Sequence, residues 1–257
     1  MLELKNLCKY YNPGTVNEMC LFQDFNLTIA DKEFVSVVGS NGSGKTSMLN
    51  LICGSIPLDG GSIIMNGEDI TKLKEFKRQR RIGRVYQNPA MGTCPSMTIL
   101  ENMSMADNKG KSFNLTMGTN RKRVDYYREE ISKLKLGLED KMNIKVGSLS
   151  GGQRQALALL MSTMSPIEFL ILDEHTAALD PKTAELIMQL TDKVVKEKNL
   201  TTIMVTHNLR YAVEYGNRLI MMHQGEVVID KAGATKDKLQ IGDILDKFNQ
   251  ISIECGN

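Results

Sequence analysis

The sequence lacks any long apolar run. Its apolar stretches are as short as Phe169 to Leu172, well below the ~18 residues that a membrane-spanning helix needs. No apolar signal-peptide core follows Met1, so we expect the chain to stay in the cytoplasm. The 32 Lys and Arg residues against 30 Asp and Glu leave a net charge of +2, which argues against a nucleic-acid partner. Five scattered cysteines without a CxxC pair argue against a zinc site or a disulfide framework, and free thiols are expected.

The composition is that of a folded globular chain. Hydrophobic residues make up 42% of the 257 positions and charged residues 24%, which excludes disorder as the general state. This length suits one large domain or two small ones packed as a unit.

Hydrophobic periodicity predicts an α/β chain. Alternating apolar residues predict two antiparallel strands near the start, with Leu2 and Leu4 on one and Phe25, Leu27 and Ile29 on the other. Further strands are predicted at 34–38, 63–65, 169–172 and 202–205, followed by a hairpin of 219–222 and 227–229. Helices are predicted at 46–53, 121–136, 153–164 and 181–198. Strand patterns vanish between about 90 and 165, where a polar stretch at 108–120 intervenes, so this part is predicted to be a helical insertion.

A glycine-rich segment lies between the predicted strand 34–38 and the helix that follows it. It reads Gly39-Ser40-Asn41-Gly42-Ser43-Gly44-Lys45-Thr46 and matches G-x-x-x-x-G-K-[ST]. In this motif backbone N–H groups curl around phosphate oxygens, the lysine reaches the β- and γ-phosphates, and the hydroxyl of the last residue binds Mg²⁺. A glycine-rich turn could precede Lys-Thr by chance, but the strand and helix around this one favour a nucleoside triphosphate site. Ser47, the residue after the motif, is expected to belong to the same site.

Two carboxylates follow the predicted strand at 169–172. Asp173 and Glu174 come at its carboxyl end, which is where ligands bind in parallel α/β sheets. We expect Asp173 to help hold Mg²⁺ and Glu174 to polarise the attacking water. Any buried strand can end in Asp-Glu before a turn, and only the combination with the glycine-rich loop makes this interpretation specific.

A second anion cradle is predicted at the start of the helix near 153. Leu149-Ser150-Gly151-Gly152-Gln153 places a serine and two glycines before that helix, where N–H groups are exposed. One triphosphate does not need two cradles within one protomer. The string resembles the signature motif of ATP-binding-cassette (ABC) ATPases, and the resemblance extends from about residue 2 to residue 230 with several motifs in the family's order.

The resemblance implies roles for further residues. Tyr11 would stack on adenine, although Tyr10 competes for this role; Gln87 would contact Mg²⁺. His207 would contact the γ-phosphate and the catalytic glutamate, and Ala178-Leu179-Asp180 would couple two active sites. His223 is interpreted as ordinary packing. Catalysis would rest on Glu174, His207 and Lys45, with ATP and Mg²⁺ as ligands.

The resemblance also implies the architecture and the partners. It implies a P-loop NTPase core of mostly parallel sheet (1–89 and 165–230), an N-terminal antiparallel β layer, a helical subdomain (90–164) and a C-terminal tail (231–257). Two copies of the chain would enclose two ATP molecules at the cytoplasmic face of the cell membrane. They would drive solute import through separate integral membrane permease subunits, which would dock between about Gln87 and Met103, together with an extracytoplasmic solute-binding protein. The alternative is a soluble ABC ATPase that assembles a cytosolic complex such as an iron–sulfur scaffold.

One position departs from the family pattern. The family usually has proline after the catalytic glutamate, whereas His175 follows Glu174 here. Proline would stiffen the turn and cannot donate an N–H, while histidine restores a donor and adds a titratable ring. The string from Asp173 to Pro181 resembles that of a bacterial importer subgroup associated with tryptophan or tyrosine uptake, which makes an amino acid a candidate solute.

Overall fold

The structure is a computed structural model that describes residues 1–111 and 118–254, with side chains described as far as Ile251. The middle of the predicted polar stretch 108–120, and Cys255, lie outside the described residues. The strands are β1 (Leu2–Tyr11), β2 (Met19–Ile29), β3 (Phe34–Gly39), β4 (Gly60–Met65), β5 (Glu68–Asp69), β6 (Ile82–Val85), β7 (Phe169–Asp173), β8 (Thr201–Val205), β9 (Arg218–His223) and β10 (Glu226–Ala232). The helices are α1 (Lys45–Cys53), α2 (Glu75–Arg78), α3 (Ile99–Asp107), α4 (Val124–Ser132), α5 (Gly151–Ser162), α6 (Pro181–Lys198), α7 (Leu209–Glu214), α8 (Ala234–Asp237) and α9 (Ile241–Glu254).

The chain divides into two compact units. The first contains residues 1–75 and 201–257, and the second contains residues 76–200. In the part of the chain that the structure describes, no helix is both long and apolar enough to cross a bilayer.

An antiparallel sheet in the first unit has the strand order β2-β1-β4-β5. Leu2 pairs with Ile29 and Leu4 with Leu27, and all four side chains are buried. Alternation places these residues on one face of the sheet because successive side chains point to opposite sides. The antiparallel layer predicted from the first thirty residues is therefore confirmed.

A second sheet in the first unit is centred on β3, whose six residues are all buried. Strands β8 and β9 run parallel to β3 on its two sides, and β10 pairs with β9 as an antiparallel hairpin. Gly39 lies beside Met222 in the parallel register. Parallel strands have their carboxyl ends at one edge, so the segments after β3, β8 and β9 all leave from that edge.

The C-terminal helices pack on α7. Ile244 and Ile251 of α9 are buried against Ala212 of α7 and against Leu219 and Met221 of β9. The described part of the predicted tail 231–257 contains the end of β10 and the helices α8 and α9.

The second unit pairs β6 with β7 in parallel and places helices α3, α4, α5 and α6 around an apolar core. Tyr127 and Ile131 of α4 are fully buried in this core. The helix predicted at 121–136 is shorter than expected, since a 3-10 turn covers Arg121–Arg123 and α4 ends at Ser132. Its end has a local cause, because Lys135 adopts a left-handed backbone with φ of 55°, which a helix cannot continue through.

Helix α6 has the bounds that the sequence predicts, with Asp180 as N-cap and Pro181 in the first turn. The sequence predicts an apolar stripe of Ala184, Ile187, Leu190 and Val194 on this helix, and the observed buried face is rotated relative to that stripe. Leu190 and Val194 are half-buried, and Thr191 is fully buried in their place. The fully or nearly buried residues of the helix are Ala184, Ile187, Met188, Thr191 and Val195.

Candidate functional site

The predicted phosphate loop leads from β3 into α1, and two of its glycines are required by close packing. A Cβ at Gly39 would lie 2.2 Å from the Met222 carbonyl oxygen. Gly44 has φ of 99°, and a Cβ there would lie 2.9 Å from Cζ of Phe22. Any larger residue at either position would clash, since such distances are below van der Waals contact. These two glycines therefore allow the loop to pack closely against Met222 and Phe22 before α1 begins.

Lys45 lies at the first position of α1 and turns its ammonium group back toward the loop. Its Nζ donates to the Gly39 and Ser40 carbonyl oxygens, each at 2.8 Å, and to Ser43 Oγ at 3.3 Å. The side chain is 5% exposed. A buried ammonium held by neutral oxygens, next to the positive end of a helix dipole, forms a strongly electropositive site suited to an anion.

The hairpin of β9 and β10 contacts the phosphate loop. The Gly225 N–H donates to the Ser43 carbonyl oxygen at 3.1 Å, and His223 Nδ1 lies 3.5 Å from Ser40 Oγ. Sequence reasoning assigned His223 to ordinary packing, whereas the structure places its ring beside the phosphate loop. Its position at the carboxyl end of β9, a parallel strand, was the signal that could have found it.

Tyr11 lies beside α1, the helix that follows the phosphate loop. Its hydroxyl is 3.1 Å from Ser47 Oγ, and the Lys9 ammonium lies 5.6 Å from the centre of its ring. Tyr10 pairs with Cys20 across the antiparallel sheet, and a hydrogen bond to Cys20 raises its pKa. The contact with Ser47 favours Tyr11 over Tyr10 as the tyrosine next to the phosphate loop.

His207 follows β8 and is exposed. The next residue, Asn208, caps helix α7 by accepting from the Tyr211 N–H at 3.3 Å, while its own N–H donates to Thr206 Oγ1 at 3.0 Å. These two bonds fix the backbone on either side of His207, so the imidazole leaves the sheet edge from a defined turn.

In the second unit, Asp173 ends β7 and forms an ion pair with Arg84 of β6. Arg84 Nη2 lies 2.7 Å from Asp173 Oδ2, and the two side chains are 10% and 14% exposed. The guanidinium also stacks over the Tyr86 ring, 4.7 Å from its centre. Sequence reasoning gave Arg84 no role, yet a charged residue inside an apolar strand requires a partner, and this requirement was the signal for the pair.

Glu174 has a left-handed backbone, with φ of 48°. This conformation is uncommon for a residue with a side chain and is found where the surrounding structure imposes it. The Glu174 carbonyl oxygen accepts from the Ala177 N–H at 2.9 Å, which closes a turn directly after the strand. Farther along the chain, at the N-cap of α6, hydrogen bonds from Thr183 hold the pKa of Asp180 below its ordinary value.

Gln87 is exposed and follows a segment that is tied to helix α5. Gln155, which is fully buried, donates its Nε2–H to the Tyr86 carbonyl oxygen at 2.9 Å. Sequence reasoning missed Gln155, because a polar residue inside an apolar helix gives no indication of its partner before the fold is known.

The serine and the first glycine of the second predicted cradle lie at the N-terminus of α5. Ser150 and Gln153 form a reciprocal cap: Ser150 Oγ accepts from the Gln153 N–H at 3.2 Å, and Gln153 Oε1 accepts from the Ser150 N–H at 3.1 Å. Gly152 is buried, and a Cβ there would lie 2.2 Å from Cγ2 of Thr183 on α6. The second glycine thus permits close approach of two helices, while Ser150 is exposed and Gly151 half-buried at the helix end.

The predicted site residues are therefore distributed over both units. The first unit holds Tyr11, the loop and helix start Gly39, Ser40, Asn41, Gly42, Ser43, Gly44, Lys45, Thr46 and Ser47, and His207; the second holds Gln87, Ser150, Gly151, Gly152, Gln153, Asp173 and Glu174. Among the described residues, no group of three or more His, Cys, Asp or Glu side chains could hold a metal ion. The predicted metal ligands are the Thr46 hydroxyl, the Gln87 amide and the Asp173 carboxylate. Such oxygen donors, too few to form a protein cage, fit Mg²⁺, which binds proteins through few side chains together with substrate phosphates.

The chain is similar to known proteins over most of its length. The ABC transporter family model matches residues 22–177. A tyrosine transport ATP-binding protein of Clostridioides difficile (strain R20291) is 48% identical over 250 residues, which are 96% of this chain and 98% of the relative. A phosphonates import ATP-binding protein of Ruegeria sp. (strain TM1040) is 33% identical, with 93% of each chain covered.

A solved structure shares the fold. It is the dimeric post-hydrolysis state of an ATP-binding cassette bound to ADP and Pi, and it is 31% identical, with a TM-score of 0.76 over 90% of this chain and 98% of the other. This similarity confirms the predicted α/β P-loop fold with its N-terminal antiparallel sheet and its helical part. The chain belongs to the ABC transporter family and is an ATP-binding ATPase of that family.

Proposed function

We propose that the chain hydrolyses ATP as one of two identical subunits and thereby drives import of an amino acid through a separate membrane permease. The observation that carries this proposal is the 48% identity, over nearly the whole of both chains, to a tyrosine transport ATP-binding protein. Other relatives are named for phosphonate import and for spermidine and putrescine import at 31–34% identity. An amino acid, with tyrosine as the first candidate, is therefore the proposed solute.

The first unit binds the nucleotide. The N–H groups of the loop from Gly39 to Thr46 hold the phosphate oxygens, and Tyr11 stacks on the adenine ring. The Lys45 ammonium, which the loop oxygens already hold at 2.8 Å, moves from these carbonyl groups to the β- and γ-phosphates. This exchange replaces neutral acceptors by charged ones, which strengthens the hydrogen bonds of the ammonium group.

Hydrolysis depends on a positioned base. Glu174 orients and polarises the water that attacks the γ-phosphate, and His207 contacts the same phosphate and the glutamate. Thr46, Gln87 and Asp173 would hold Mg²⁺, which would supply positive charge beside the phosphate groups. A positioned base of this kind contributes about 10²–10⁴-fold to the rate.

The two cradles of the chain serve two different ATP molecules. The phosphate loop of one copy binds an ATP whose γ-phosphate also contacts the cradle of Ser150, Gly151, Gly152 and Gln153 of the second copy. ATP thus closes the dimer, because the γ-phosphate is a ligand shared by both copies, and hydrolysis releases it. The solved cassette with ADP and Pi described above is itself dimeric, which supports this arrangement.

The remaining partners lie at the membrane. The permease docks on the segment from about Gln87 to Met103, where Met91 is 67% exposed, and an extracytoplasmic solute-binding protein delivers the solute. The chain then acts at the cytoplasmic face of the cell membrane.

Purification and reconstitution test this proposal. The tagged chain is isolated from membranes, its partners are identified by mass spectrometry, and the complex is placed in vesicles with ATP at the exposed side. We expect a multispanning permease to copurify and ATP to drive uptake of labelled tyrosine, which the Glu174→Gln variant abolishes. Copurification with soluble scaffold proteins alone would contradict transport, and uptake of phosphonate instead of tyrosine would contradict the proposed solute.

A further inference from the structure

A buried side-chain hydrogen bond links the residue after Glu174 to helix α6. His175 is 2% exposed and Thr191 is fully buried. The Nε2 atom of the imidazole lies 3.1 Å from Thr191 Oγ1. This bond spans the loop that begins at Glu174 and ends at Asp180, the N-cap of α6.

The second bond of Thr191 determines the direction of the first. Thr191 Oγ1 lies 2.7 Å from the Ile187 carbonyl oxygen, and a carbonyl oxygen only accepts, so the single hydroxyl proton of Thr191 is donated there. The hydroxyl oxygen must then accept from His175, whose Nε2 carries a proton. The imidazole thus donates to the hydroxyl, and the hydroxyl donates to the backbone of α6.

These two hydrogen bonds supply rigidity at the position where the family pattern has proline. A proline ring fixes its backbone covalently, whereas His175 is fixed by a side-chain anchor on a helix. The anchor lies next to Glu174, whose left-handed backbone at φ of 48° persists only where neighbouring contacts impose it. Loss of the anchor would allow this backbone to relax and would displace the Glu174 carboxylate.

We propose that His175 is a positioning residue for the Glu174 carboxylate and that it acts through its hydrogen bond to Thr191. The inference rests on the proposed function of Glu174 as the base that polarises the attacking water. His175 itself contacts neither nucleotide nor water in this mechanism. Its role is to replace the stiffness of proline by an anchor to α6.

Steady-state ATP hydrolysis by matched variants tests the inference. Thr191→Val removes the hydroxyl, and Thr191→Ser keeps it. Thr163→Val is the matched control, because Thr163 is also buried and its hydroxyl also bonds helix carbonyl oxygens, those of Leu159 and Leu160, but it does not contact His175. His175→Gln keeps an N–H donor near the Nε2 position, while His175→Ala removes it.

We expect Thr191→Val and His175→Ala to lower kcat by about 10- to 100-fold, the effect of a displacement of about 1 Å at the base. KM for ATP should stay within about twofold of wild type, since the nucleotide contacts are unchanged. Thr191→Ser, Thr163→Val and His175→Gln should retain most of the turnover. The double variant His175→Ala/Thr191→Val should be no slower than either single variant, because both remove one interaction.

Three results would overturn the inference: equal kcat for Thr191→Val and Thr163→Val, additive losses in the double variant, or a rise in KM without a fall in kcat. Urea unfolding of each variant shows whether it is still folded. Thr163→Val and Thr191→Val remove the same kind of helix bond, so they should lose similar stability, and a difference in their kcat values then reflects the contact with His175. Glu174→Gln separates the two proposals. Wild-type turnover in Glu174→Gln refutes the role of Glu174 itself, whereas slow Glu174→Gln with fast Thr191→Val refutes only the role of His175.

Discussion

Acidification should destabilise the fold through His175. Burial lowers the pKa of this imidazole from 6.5 to about 4, while the unfolded chain leaves the ring in water with its ordinary pKa. Between these two values the unfolded state binds a proton that the folded state does not bind. Stability is therefore unaffected by His175 above pH 6.5 and decreases as the pH falls from 6.5 toward 4.

The magnitude follows from the difference between the two pKa values. At 1.36 kcal/mol per pH unit, a pKa that falls from 6.5 to about 4 lowers the free energy of unfolding by roughly 3 kcal/mol at the acidic end. Domains have only about 5–15 kcal/mol of stability, so this loss should be visible in a denaturation midpoint.

Urea unfolding of wild type and His175→Gln, at several pH values between about 4 and 8, measures the effect. Glutamine does not titrate and is close to histidine in reach. Carboxylates with a lowered pKa, such as those of Asp59, Glu101 and Asp180, titrate in both proteins and cancel in the comparison. We expect the wild-type curve to fall more steeply on the acidic side. Parallel curves over this range would refute the assignment of a depressed pKa to His175.

Three further predictions test other parts of the site. Glu174→Gln should slow hydrolysis by about 10²–10⁴-fold and leave an ATP-bound dimer visible by gel filtration; hydrolysis at the wild-type rate would show that Glu174 is not the base. Ser150→Arg should abolish turnover and leave ATP binding by the isolated chain nearly intact, and a loss of that binding would contradict a cradle that serves the second copy. Gly152→Ala should lower the free energy of unfolding by about 1–3 kcal/mol, because its Cβ would lie 2.2 Å from Cγ2 of Thr183. Thr183→Ser removes that methyl group and should restore the stability of Gly152→Ala; without such rescue, the clash is not the cause.

Features that depend on local backbone chemistry could be predicted from the sequence. Gly44 lies where a left-handed backbone and close packing exclude a side chain, and the motif shows this requirement directly. Asp180 before Pro181 predicts the start of α6 at the residue where the helix begins. Signals of this kind act over a few residues and do not depend on the rest of the fold.

Features that depend on distant partners could not be predicted in the same way. Thr191 disturbs the apolar stripe of α6, and only the packed structure shows that His175 is its partner. Gln155 likewise bonds the Tyr86 carbonyl oxygen, 69 positions away in sequence. A buried polar residue indicates that a partner exists, but the identity of that partner depends on how the chain is folded.

The hydrogen bond from Gly225 to Ser43 has a consequence for the order of synthesis. Gly39 packs against Met222, and the Ser43 carbonyl oxygen accepts from the Gly225 N–H, so the ribosome makes the phosphate loop long before the hairpin that contacts it. Contacts between such distant segments form late, because closure of a long loop must come first. We therefore expect a nascent chain to bind nucleotide only after the strands that flank β3 have been synthesised and paired with it.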